Sequence, residues 1–109
     1  MHSGRWVLAT DAPTRRATEL LAAGVPVVGL DDARAGVTVA SPDALLRAPG
    51  ALQRGRGSSN LLLDHLAPID VRALTGRGAL PLPVSGANDV LLVPAEGPVV
   101  RRRLPIAAA

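Results

Sequence analysis

Apolar residues recur along the first third of this chain in two rhythms, and the change from one to the other marks its elements. Residues 5–10, RWVLAT, form a short run with almost no polar interruption, which suits a strand buried on both faces. Residues 13–23 then space Ala17, Leu20 and Leu21 at i, i+3 and i+4, so a helix is expected there with Arg15, Arg16 and Glu19 turned to water. Asp11 offers a side-chain oxygen to cap that helix, and Gly24 stands where a left-handed residue ends one. Residues 25–30, VPVVGL, return to a continuous apolar run. Strand, helix and strand in this order predict a parallel β-α-β unit.

Further on, residues 37–40 predict a third strand, and Ser41-Pro42-Asp43 starts a brief helix over 42–47, with serine as cap and proline at the first helical position. Pro49 and Gly50 break it. Leu61, Leu62, Leu63 and Leu66 predict a helix over 59–66, ended by Pro68, while 69–74 suits either a helical turn or a strand. From Gly76 onward prolines punctuate short Val- and Leu-rich runs and exclude long helices. Three short strands are expected there, over 80–84, 90–93 and 99–104, with some at sheet edges because proline cannot donate to a ladder. The fold class is therefore α/β, or α+β if the C-terminal strands form a separate layer, in a single compact domain spanning 1–109 with a frayed tail at 105–109.

Composition changes this picture in one respect. With no Phe, no Tyr and a single Trp6, the core must be built from Leu, Val and Ala, which bury less area each, so self-association or a protein partner would add stability. A homo-oligomer is expected. The net charge of +3 rests on 12 basic residues, all of them arginine. Arginine without lysine, beside abundant Ala, Gly, Pro and Val, is the signature of a GC-rich bacterial coding sequence, and the charges are scattered rather than gathered on one face. Nucleic acid is not an expected partner: single-strand binding adds stacking aromatics, and Trp6 stands alone. The Arg101-Arg102-Arg103 run suits a solvated edge strand, with Arg101 and Arg103 on one face.

The absence of cysteine excludes disulfides, thiolate metal sites and a cysteine nucleophile. A charge interrupts the N-terminal residues before any apolar signal core forms, and no 18-residue apolar stretch exists, so no membrane association is expected and a cytoplasmic location is. A P-loop needs lysine, which the chain lacks, and no G-x-G-x-x-G follows the first strand.

The candidate chemistry gathers in residues 53–60, QRGRGSSN. Glycines such as Gly57 free the backbone to turn its N–H groups toward one point, Arg54 and Arg56 can grip phosphate or carboxylate, and Ser58, Ser59 and Asn60 can donate further hydrogen bonds. The five residues GRGSS are similar to a serine-rich motif in the small swivelling subunit of the aconitase X family, while the residues on either side do not follow it, and the family is not assigned. Thr10, Asp11 and Asp31 follow expected strands at the end where open α/β sheets bind ligands, and they supply a second wall for the same crevice. The leading expectation is a binding or regulatory module, a subunit of a larger assembly, that holds an anionic or phosphorylated ligand. The alternatives are a small hydrolase or lyase using His65 with Ser58, Ser59 or an aspartate such as Asp64, and a structural protein-interaction subunit. No cofactor and no metal site is expected.

Overall fold

The structure, a computed structural model, describes residues 5–29, 36–48, 50, 60–76, 87–94 and 98–104. They build a mixed sheet of six strands in one compact α/β domain. In chain order the elements are β1 (Arg5–Thr10), α1 (Pro13–Ala22), β2 (Val27–Val28), β3 (Gly36–Ala40), α2 (Pro42–Leu46), β4 (Leu61–Asp64), α3 (Pro68–Thr75), β5 (Asp89–Val93) and β6 (Val100–Arg103). Across the sheet the order is β2-β3-β1-β4-β5-β6. The first four are mutually parallel, and β5 and β6 continue the sheet in antiparallel pairs. The described C-terminal strands β5 and β6 therefore extend the first sheet.

Alternation along β1 shows why both faces are covered. Trp6 and Leu8 point one way and join Leu20 of α1 with Val37, Leu62 and Val90. Val7 and Ala9 point the other way and join Leu45 of α2, Val71 and Leu74 of α3, and Leu61, Leu63 and Leu91. Among the described residues, one helix lies on the first face and two on the second. A run such as LLL, with no polar alternation, is what a central strand in such a sandwich requires.

That requirement explains a correction. The helix expected over 59–66 is instead the strand β4, every residue of which is buried between β1 and β5. Leucine favours helices intrinsically, but a four-residue apolar run fits either element, and two flanking ladders decide it. Pro68 begins α3 rather than ending a helix. Asp70 lies in its first turn, and Gly76, at φ 72°, closes it by donating its N–H to the Arg72 carbonyl at 2.8 Å. The segment 69–74 is thus helical.

The N-terminal unit needs three further corrections. Its strands run parallel as expected, but β3 lies between β1 and β2, which is a two-residue, half-buried edge strand rather than a buried one. Gly36 permits the β2–β3 approach. A Cβ there would stand 2.9 Å from the Pro26 carbonyl oxygen, which accepts the Val37 N–H. On α1, Leu20 is buried but Leu21 is 58% exposed and Arg16, expected in water, is only 2% exposed. The helix is rotated so that Arg16 and Leu20, four residues apart, face the sheet. Ala12 occupies the cap position and no side chain caps this helix, so Asp11 lies one residue too early. Gly24 does adopt φ 83° after its end, and Ser41 caps α2 by accepting the Ala44 N–H at 3.1 Å. The strand expected over 80–84 and the frayed tail at 105–109 lie outside the described residues.

Candidate functional site

Thr10 and Asp64 are the last residues of two adjacent parallel strands, β1 and β4, and they stand opposite each other in register. The Thr10 hydroxyl donates to Asp64 Oδ2 at 2.7 Å and accepts the Ala12 N–H at 3.1 Å. Arg16, one turn into α1, reaches down onto the same carboxylate, with Nε on Oδ2 at 2.7 Å and Nη2 on Oδ1 at 2.9 Å. Nη1 donates to Glu19 Oε1 at 3.2 Å and to Asn88 Oδ1 at 3.0 Å, and Nη2 also donates to the Ala87 carbonyl.

A guanidinium has five N–H groups, and all five are used. Arg16 therefore has none left for a ligand. It joins α1, the end of β4 and the turn that opens β5 across a site whose burial would otherwise penalise each charge. For Asp64, burial pushes its carboxyl up, but hydrogen bonds from Arg16 and Thr10 and the nearby positive charge together outweigh burial and hold it below the usual carboxylate range. The hydrogen bond to Asp64 raises the pKa of Arg16, against the opposing effect of burial.

Above this ion pair opens a crevice of about 250 Å³, lined among others by Thr10, Asp11, Arg15, Asp64 and His65. Its position follows from topology. The helix after β1 covers one face of the sheet and the helix after β4 covers the other, so the chain leaves the carboxyl ends of β1 and β4 toward opposite faces. This is a topological switch point, where open α/β sheets leave room for ligands. Asp11, Arg15 and His65 are the exposed or half-buried side chains around it. His65 turns the chain away from β4 with φ 51°, a left-handed conformation that histidine tolerates better than most residues.

The structure brings together Thr10, Asp11, Asp64 and His65 from the sequence-derived candidates. Arg54, Arg56, Gly57, Ser58, Ser59 and Asp31 lie outside the described residues. Asn60 is at the other end of the sheet, where its carbonyl accepts the Val7 N–H at 3.0 Å before β4 begins. The four residues of β4 carry the chain about 13 Å from there to the crevice. Asn60 is thus not part of the wall that Thr10 and Asp11 form. Asp64 and His65 do not share a helix: one ends a strand and points into the sheet's helix-covered face, and the other is exposed in the following bend.

Sequence reasoning missed Arg16, Glu19 and Asn88. The available signal was the four-residue spacing of Arg16 and Leu20, with a charge on the helix's inward face, together with a polar residue ending each of the apolar runs RWVLAT and LLLD. Comparison of the chain with protein-family models, with curated proteins and with solved structures returned no match.

Proposed function

We propose that this chain is a small α/β binding or regulatory module that holds an anionic or phosphorylated ligand in the crevice between the carboxyl ends of β1 and β4. The observation that carries the reading is the position of the crevice at the switch point of the sheet. The first turn of α1 opens onto it without a side-chain cap, leaving backbone N–H groups and a partial positive charge for an anion. Arg15 and His65 lie beside that turn, while the saturated pair of Arg16 and Asp64 forms a rigid floor. The Arg54 to Ser59 segment is a separate anion-gripping proposal, and it has its own test.

The experiment is thermal unfolding in inorganic phosphate, nucleotides and acidic metabolites. A ligand at ten times its dissociation constant stabilises the native state by about 1.4 kcal/mol. The double change Arg15→Ala and His65→Ala should remove the effect, and Arg54→Ala with Arg56→Ala should leave it in place. The crevice reading is wrong if none of these compounds stabilises the chain. If only the second pair of changes removes the effect, the ligand belongs to the 53–60 loop.

A second reading, a protein-interaction subunit, is favoured by β6. Among the described strands it is the last of the sheet, and all four of its residues are exposed. Pairing two copies antiparallel along this strand would set arginine against arginine, so the edge favours an acidic partner strand over a second copy of the chain. Co-sedimentation with an acidic strand-forming peptide tests it, and Arg101→Glu with Arg102→Glu should abolish the association.

A further inference from the structure

Among the described residues, helices cover the two faces of the sheet unequally. Six strands at about 4.8 Å spacing span about 24 Å, more than twice the roughly 10 Å width of a helix. On the face carrying Trp6 and Leu8, α1 packs mainly over β1, β2 and β3 and reaches the ends of β4 and β5 through Arg16, and among the described residues no second helix lies on this face. A second cleft of about 360 Å³ opens on that side, bordered by Leu92 and the edge of Trp6, with Leu62, Val90 and Leu104 almost fully buried behind them. It is separate from the crevice at the carboxyl ends of β1 and β4.

Two arginines, Arg102 and Arg103, border this space. Arg102 pairs in register with Val90 and so projects from the same face as Val90, Leu62 and Trp6. Its guanidinium is exposed and makes no ion pair or hydrogen bond among the described residues. Arg103, its neighbour, belongs to the opposite face by alternation and is engaged by Asp89, with Nε 3.6 Å from Oδ1. The cleft thus combines aliphatic walls, one indole and a single uncommitted guanidinium.

We infer that this cleft is a binding site for a small amphipathic carboxylate, with its apolar tail against Leu92 and the edge of Trp6 and its carboxylate on Arg102. The volume lies at the lower end of the range for small-molecule pockets, which limits the tail to about eight carbons or one ring. A guanidinium recognises a carboxylate with two parallel hydrogen bonds, and the apolar walls reject a ligand that is charged throughout.

Trp6, the chain's one tryptophan, is a built-in reporter. Titration with octanoate should change its fluorescence saturably, while octanol should bind about tenfold more weakly and inorganic phosphate should give no response. Arg102→Ala should raise the octanoate midpoint about tenfold, and Arg102→Glu should abolish octanoate binding while sparing octanol. Arg101→Ala, on the opposite face of β6, should leave the midpoint unchanged, as should Arg15→Ala in the other crevice. The inference is overturned if octanoate gives no saturable response, if octanol binds as tightly, or if Arg101→Ala weakens binding as much as Arg102→Ala.

Discussion

Arg16 and Asp64 are joined by two parallel hydrogen bonds of 2.7 and 2.9 Å, and the pair ties a helix to the end of a strand 48 residues further along the chain. Both side chains are almost fully buried, at 2% and 3% exposure. Removing one partner leaves the other charged without compensation. Arg16→Met should cost about 3–5 kcal/mol, measured by urea unfolding. Arg16→Lys should also be destabilising, because a single ammonium cannot reach both carboxylate oxygens together with Asn88 and Ala87. The double change Arg16→Met with Asp64→Leu should recover most of the loss, because it removes both charges together.

The same pair sets an acid limit on stability. Asp64 has a folded-state pKa below its unfolded value, so folding favours the ionised form. Its contribution is complete above the unfolded carboxylate value, near pH 4, and is lost as pH falls through the lower folded value. Unfolding free energy should therefore fall on acidification below about pH 4, and Asp64→Asn should flatten that limb while lowering stability at pH 7. A pH series of chemical denaturation checks both, and an unchanged acid limb in the variant contradicts the assignment.

Gly36 and Gly24 separate two reasons for glycine. At Gly36, with φ 142°, an added Cβ meets the Pro26 carbonyl oxygen at 2.9 Å and Val28 Cγ1 at 3.1 Å. Gly24, with φ 83°, has nothing within 4 Å. Gly24→Ala should cost about 1 kcal/mol from backbone strain alone, and Gly36→Ala clearly more, because β2 must also move away from β3. Thermal melts of the two variants compare them directly.

His65 holds a left-handed conformation that a β-branched residue resists. His65→Gly should leave stability unchanged or raise it slightly, and His65→Val should lower it by about 1–2 kcal/mol. If His65→Gly is instead strongly destabilising, the contacts of the imidazole matter more than its backbone.

Short-range signals in the sequence were reliable where a single local reason sufficed. Ser41 before Pro42 marked a cap, Gly24 marked a left-handed helix end, and the apolar runs at β1, β3 and β5 were legible as strands. The run at 61–63 was not. Three leucines satisfy a helix as well as a strand, and only the ladders from β1 and β5 on either side exclude the helix. The candidate site divides in the same way: Thr10 and Asp11 were recognisable as polar residues after an apolar run, Asp64 and His65 were candidates only as catalytic groups on an expected helix, and Arg16 was assigned to solvent because helical periodicity identifies a face but not what lies beneath it.

By itself, then, the sequence determined an aliphatic α/β domain with short elements, because composition, caps and glycine positions act over a few residues. Tertiary structure decided that β3 inserts between β1 and β2, that the C-terminal strands extend the same sheet, and that an arginine becomes a buried clamp. Each depends on partners far apart in the chain. Arg16 is stable inside only because Asp64, Asn88, Glu19 and the Ala87 carbonyl converge on all five of its N–H groups, and no local window of sequence contains that set.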